Sequence, residues 1–293
     1  MVSFVEPLIT LRKAPRRDEK RSEDRLRLHY VVERRLADRI RAASGPEERR
    51  EIFATMYDEL FRLVPDHPRL LARKNAQDER DLGIEWDMGQ LNRFLSPDCV
   101  FLEIGAGDCA LARRVAQRAG FVHAVDIADQ TRGPLPENVS LGLSDGRDVP
   151  VPPESVDVAF SDQLMEHLHP DDAMEQLRNI HRALRPGGVY VCITPNRLYG
   201  PSDISAYFDD VASGFHLREY TVRELRPILR EAGFPHVRAY IGARGFFVRC
   251  PAIAIEALEW LLELLPVRVR RQVADNKLMR GLLGVRVAAV KAK

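Results

Sequence analysis

The residues of most chemical interest crowd into one stretch, FLEIGAGDCALARRVA, residues 101 to 116. Gly105 and Gly107 permit positive φ and let the backbone approach a ligand closely. With Ala110 they fit the G-x-G-x-x-[GA] pattern that cradles a dinucleotide pyrophosphate. The same two glycines also fit a turn around a sulfonium cofactor, with Cys109 where a third glycine often stands. Asp126 lies 19 residues beyond Gly107, where a carboxylate can accept hydrogen bonds from both hydroxyls of an adenosine ribose. Both cofactors contain that ribose, so Asp126 does not choose between them.

The acids choose. Asp108 would put a carboxylate at the helix start on which a pyrophosphate rests. Two like charges about 4 Å apart repel by roughly 4 kcal/mol at an effective dielectric of 20. S-adenosylmethionine carries a sulfonium and an ammonium and no phosphate, so acids suit it. Glu103 adds a second negative group. An ordinary helix-start acid, worth about 0.3–1 kcal/mol through the dipole, is the plainer reading of Asp108 alone.

Transfer from such a cofactor to a hydroxyl requires a base for the departing proton, and histidine titrates in the right range. His167 and His169 stand in EHLHPDD, and His216 in SGFHLREYT. His167 and His216 are the catalytic candidates. The plainer alternatives are a bracing hydrogen bond for His167 and a helix cap near Thr221 for His216. Glu166, His167, His169, Asp171 and Asp172 are too local in sequence to surround a metal well, and no metal is expected.

These residues need a scaffold. CVFLEI, FVHAVDI, VSLGL, SVDVAFS, GGVYVCITP and HVRAYIG read as strands, and VRVAAVKA as a last one. Helices alternate with them: DCALARRVAQRAG, ending at Gly120, DDAMEQLRNIHRAL and TVRELRPILREAG. The alternation predicts an α/β fold with a mainly parallel sheet covered on both faces, whose ligands bind at the carboxyl ends of the strands. Residues 1–21 read as a flexible arm. Ser22 is placed to cap a helix running to about Ala43. Ser44 and Glu47 predict a capping box for a second helix, with Pro46 in its first turn. A short helix, GQLNRFL, precedes the first strand. The organisation predicted is an arm and helical extension over 1–85 and a catalytic domain over 86–293, with a helical insertion at 243–283.

Glu103-Ile-Gly-Ala-Gly, Asp126 at a strand end, Ser144-Asp145-Gly146, DVAFSDQLMEHL and LRPGGVYVCITPN together resemble the class I S-adenosylmethionine-dependent methyltransferases. They are most similar to the type 11 group that includes ubiquinone-biosynthesis O-methyltransferases. The resemblance spans about residues 97–242 and the last strand. It implies a Rossmann-like, seven-stranded sheet with the last strand inserted antiparallel. It also implies that Gly105, Ala106 and Gly107 approach the methionine part of the cofactor and that Glu103 supports their loop. Asp126 and Ile127 would lie at the ribose, Asp145 and Gly146 beside the adenine, and Ser161 and Gln163 at the methionyl end.

Bulk properties narrow the partners. The net charge of +1 argues against dedicated nucleic-acid binding. SDQLMEH stands where DNA-adenine methyltransferases carry an [ND]PP[YF]-type run, which favours a small-molecule acceptor. Four cysteines without metal-like spacing read as reduced thiols of a cytoplasmic protein. No apolar run reaches the roughly 20 residues of a membrane span. From Pro266 onward eight Lys or Arg face a single acid, Asp275. IAIEALEWLLELL sets Glu256, Glu259 and Glu263 on one face against an apolar surface. A lid, a homodimer contact and a peripheral membrane contact through 251–273 all fit it, and the acids weigh against the membrane. The sequence thus predicts methyl transfer to a small molecule, most readily a hydroxyl of a sugar, phenol or natural product. An NAD-dependent oxidoreductase and a non-catalytic cofactor-binding protein are the alternatives.

Overall fold

A computed structural model describes residues 9–15, 19–68, 70 and 77–293, with backbone alone for 77–80. Much of the expected N-terminal arm lies outside the described residues. The chain forms two compact units, one of residues 1–75 with 200–217, the other of 76–199 with 218–293.

In the first unit, α1 spans Glu23–Ala42 and α2 spans Pro46–Leu63. Ser22 caps α1 by accepting the Arg25 N–H, acids open the helix and arginines close it. Gly45 is the N-cap of α2. The expected Ser44–Glu47 box is displaced by one residue: the Ser44 N–H and hydroxyl both donate to Glu48 Oε2, at 2.7 and 2.8 Å. Val32, Leu36, Ile40, Ile52, Met56 and Leu60 pack with Phe215. The 200–217 segment is pinned through its backbone. The N–H groups of Ser205, Gly214 and His216 donate to Asp203, and that of Phe215 donates to Glu33.

The second unit holds one eight-stranded sheet. Its strands are β1 Val100–Ile104, β2 Phe121–Asp126, β3 Val139–Leu143, β4 Val156–Asp162, β5 Leu184–Thr194, β6 His236–Ala243, β7 Phe246–Cys250 and β8 Val285–Val290. Their order is β3-β2-β1-β4-β5-β8-β6-β7. The first five run parallel, and β8 inserts antiparallel between β5 and β6. This is the Rossmann-like sheet expected, with one strand more. The extra strand comes from the segment read as a helical insertion. Arg244 and Gly245, at φ 54° and 83°, turn β6 back into β7, the geometry a two-residue hairpin favours.

The helices of this unit are α3 Gln77–Leu91, α4 Ala110–Val115, α5 Pro170–Ala183, α6 Val222–Glu231, α7 Ala252–Glu263, α8 Val267–Ala274 and α9 Lys277–Leu283. The buried sheet residues fall into two sets by strand alternation. Leu177, Ile180, Leu225, Leu229 and Ile255, from α5, α6 and α7, pack on one face. Met88, Leu91, Leu111, Ala112 and Val115, from α3 and α4, pack on the other. The helix expected as GQLNRFL is longer and begins earlier, whereas α4 stops well short of Gly120. Thr221 caps α6 in a reciprocal box with Glu224, so His216 does not fill that role. α3 lies against the β6–β7 turn so tightly that a Cβ on Gly89 would meet the Gly245 carbonyl oxygen at 2.3 Å.

Candidate functional site at the carboxyl ends of β1 and β4

The turn after β1 adopts the conformation its glycines allow. Gly105 and Gly107 have φ of 78° and 54°. The N–H groups of Gly105 and Ala106 donate to the Val125 carbonyl at 2.8 and 3.1 Å. A Cβ on Gly105 would touch Leu164, whereas Gly107 faces open space. Asp126 ties this turn to β2, since its Oδ2 accepts the Gly107 N–H at 2.8 Å and its Oδ1 the Ala128 N–H at 3.2 Å. Cys109, the mismatch to glycine, is buried in the left-handed region at φ 60°. The backbone there still has the conformation glycine would take most easily. Asp108 accepts the Ala110 N–H at 3.3 Å and lies 3.8 Å from Arg132. It is a helix-start acid whose charge also stands where a pyrophosphate would rest.

The adenine-side candidates lie close together. Ile127 is exposed, and a Cβ on Gly146 would meet it at 3.9 Å. Asp145 accepts the N–H groups of Arg147 and Asp148 and pairs with the Arg147 guanidinium at 3.0 Å. Although burial opposes it, these donors hold its pKa down to about 2. Gly146, at φ 90°, is held through its carbonyl by Gln176 at 2.7 Å.

Ser161, expected at the methionyl end, is fully buried, with its hydroxyl 2.7 Å from that of Tyr190. Alternation along β4 turns Ser161 to the α5–α6 face. It turns Asp162 to the α3–α4 face, alongside Glu103, which pairs in register with Phe160. Gln163, exposed and held at φ 51°, does project at this strand end. Such a strained non-glycine residue is characteristic of functional sites.

Asp162 opens a feature that one-dimensional reading missed. Asp162 is in register with Ile193, and Ile193 with Arg286 of β8, so Asp162 and Arg286 share the face that α3 covers. Asp87, on α3, completes the group. Burial raises Glu103 to about 8, with Asp126 and Asp162 adding to the shift. Burial raises Asp87 to about 8 as well, helped by the charges of Asp162 and Glu103. Asp162 rises to about 6, burial again leading, with Gln163 and Arg286 opposing. Burial pushes Arg286 down. Glu103 Oε2, both amide atoms of Gln90 and Arg286 Nη1 are buried without a partner. A fold rarely leaves so many polar atoms unsatisfied. An acid cluster with orphaned acceptors and donors suits a ligand that is cationic and also polar, and S-adenosylmethionine is both.

His167 ends a one-turn 3-10 helix, Met165–His167, whose Glu166 accepts the Thr194 hydroxyl at 2.8 Å. His216 is buried, and Arg41 donates to its carbonyl at 3.4 Å. His169 is the N-cap of α5. In the first unit His29, Glu33 and His67 offer three ligand atoms within 4.8 Å of one another. His29 Nε2 lies 2.9 Å from Glu33, and the Arg21 guanidinium lies 2.9 Å from Nδ1. A guanidinium can only donate, so Nδ1 accepts and Nε2 carries the proton shared with Glu33. A cation there would have to displace that proton.

Comparison with known proteins agrees with this geometry. Residues 102–192 match the family model described as "Methyltransferase domain". Those residues are a methyltransferase domain. The domain spans β1 to β5 and therefore contains the glycine turn, Asp126, Asp145 and Asp162. A "Probable S-adenosylmethionine-dependent methyltransferase" of Mycolicibacterium smegmatis is 34% identical over 137 residues, 45% of this chain and 51% of that protein. Another so named, Rv3030 of Mycobacterium tuberculosis, is 34% identical over 152 residues, 49% of this chain and 52% of that protein. The chain thus spans about half the length of the curated relatives it matches. Two solved structures share the fold, each at 17% identity. One is from the complex between the Haloferax volcanii Trm112 methyltransferase activator and a methyltransferase, with a TM-score of 0.53 over 76% of this chain and 94% of that one. The other is Haemonchus contortus phosphoethanolamine N-methyltransferase 1, with a TM-score of 0.52 over 85% of this chain and 50% of that one.

Proposed function

We propose that the chain transfers a methyl group from S-adenosylmethionine to a hydroxyl oxygen of a small molecule. The cluster of buried Glu103 with half-buried Asp162 and Asp87, near the open turn at Gly107, carries this reading. A sulfonium with its ammonium would be complemented by these acids as they give up their protons, whereas an anionic dinucleotide would hold them protonated and gain no charge complement from them.

When bound, the cofactor supplies a methyl already activated by its positive sulfur. The chain positions and excludes water. Gly105, Ala106 and Gly107 border the methionine part, with Glu103 behind them. Asp126 has lone pairs left for two ribose hydroxyls. Ile127 and Gly146 would form one wall for the adenine, and Asp145 has an acceptor left for its amino group. Gln163, exposed at this strand end, would take the place at the methionyl end expected of Ser161.

A hydroxyl acceptor must lose its proton as the new bond forms. His167 and His216 are the imidazole bases we propose, and Asp162, poised at about 6, is the carboxylate that competes for the role. The four cysteines are unpaired, which supports a reducing, cytoplasmic setting.

The test is kcat for His167→Ala, His216→Ala and Asp162→Asn with an acceptor found by screening small hydroxyl compounds. The base's variant should lose about a hundredfold or more. Wild-type rates in all three would refute catalysis by these groups. Wild-type turnover of amines with none of hydroxyls would refute oxygen as the acceptor atom.

A further inference from the structure

The amphipathic pattern of α7 leaves open which of its two faces points inward. Its acids face the protein. Glu256 pairs with Arg226, and Glu263 with Arg197 and Arg223. Glu259 is fully buried and accepts the Asn196 amide at 2.7 Å and the first N–H groups of α6, from Val222 and Arg223, at 2.8 and 2.9 Å. Ile255 and Leu262 are buried on the same side. The outward side is apolar. Ile253, Trp260, Leu261 and Leu264 are 71%, 50%, 54% and 64% exposed. With Ala257 they follow the helical repeat and form one stripe.

The neighbouring helices extend this face and give it a charge. α7, α8 and α9 pack on one another. α8 exposes Val269 and Val273, and its eight residues include three arginines and no acid. Arg268 and Lys277 are exposed beside Val269 and Leu278. The acids that weighed against a membrane are therefore neutralised inside the unit. What remains outside is an aliphatic stripe with a tryptophan and a basic rim, the combination that lies in an anionic lipid interface. A second copy of the chain fits less well. The stripe of one 12-residue helix covers about 200 Å², against about 800 Å² per partner in a stable dimer.

We infer that the outward face of α7, with the basic rim of α8 and α9, docks the protein on a membrane surface rich in anionic headgroups. Ile253, Trp260, Leu261 and Leu264 enter the acyl boundary while Arg268 and Lys277 meet the headgroups.

Trp86 and Trp260 are the two tryptophans of the chain, so Trp86→Phe leaves Trp260 as a reporter. The full chain is mixed with phosphatidylcholine vesicles, with or without about one third phosphatidylglycerol. Sedimentation with the anionic vesicles only, with Trp260 emission moving to shorter wavelength, is the expected result. Leu261→Glu with Leu264→Glu should weaken partitioning about tenfold or more while leaving S-adenosylmethionine affinity unchanged. Should that pair misfold by circular dichroism, Trp260→Ala and Lys277→Glu serve instead, each in the wild-type background. No sedimentation, or sedimentation with unchanged Trp260 emission, overturns the inference. So does a dimer in light scattering that the leucine variants dissociate. The inference stands apart from the cofactor reading: vesicle binding without S-adenosylmethionine affinity sinks only the latter, and the reverse sinks only the former.

Discussion

Asp126→Asn separates the structural and the ligand-binding duties of one carboxylate. In the protein both oxygens are in use, Oδ2 on the Gly107 N–H and Oδ1 on the Ala128 N–H. Asparagine offers one oxygen and one amino group, so one of these backbone donors must face another donor. A hydrogen bond to a charged group is worth about 1.5–3 kcal/mol. The site is half-buried, so water recovers part of that, and a loss of about 1 kcal/mol of stability is expected. This corresponds to a fall in Tm of about 2–4 °C. Binding suffers more. Each of the two proposed ribose hydrogen bonds loses its charge assistance, about 1 kcal/mol apiece. The sum of about 2 kcal/mol is a roughly thirtyfold weaker Kd. Calorimetric titration with S-adenosylmethionine and thermal unfolding without it measure the two effects separately. A lowered Tm with an affinity within about threefold of wild type would show that Asp126 only braces the turn, and the ribose assignment would fall.

Three further outcomes follow from the same geometry. Glu103 titrates near 8 in the folded protein against an ordinary 4.5. Its contribution to stability is therefore full below about 4.5 and lost as pH rises through about 8. A bound sulfonium or ammonium should draw that proton off. S-adenosylmethionine binding at pH 7 should then release up to about one proton, visible as a binding enthalpy that changes with the buffer's ionisation enthalpy; a buffer-independent enthalpy would contradict it. Cys109→Val forces a β-branched side chain into the left-handed region and should cost about 2 kcal/mol in urea unfolding, whereas an unchanged midpoint would refute the strain argument. Glu259→Ala removes an acceptor from Asn196, Val222 and Arg223 and should cost about 2–4 kcal/mol by the same method, with little loss if α6 is capped adequately by Thr221 alone.

Some of this was legible in the sequence because it is written locally. Alternating apolar runs gave the parallel strands, and Gly105 and Gly107 marked the turn between β1 and α4. Pro46, Ser22 and Thr221 sit at helix starts for reasons that involve only their neighbours. What escaped depends on distant pairing. FFVRC carries no sign that it forms β7, because its partner is β6 and its turn needs Gly245 against α3. Ser161 was assigned to the pocket and Asp162 overlooked because a one-residue step along a strand reverses the face. The Asp87–Asp162–Arg286 group joins residues from α3, β4 and β8 through register that no local pattern reveals. The inward direction of α7's acids was not readable because their arginine partners lie 30 to 66 residues away. Amphipathic periodicity fixes two faces of a helix but not which one points inward.

Calorimetric titration of the full chain with S-adenosylmethionine, its demethylated product and NAD tests the central claim most directly. The acid cluster near the glycine turn predicts saturable one-to-one binding of the first two and no measurable affinity for NAD. Tight binding of NAD with none of S-adenosylmethionine or its product would contradict it.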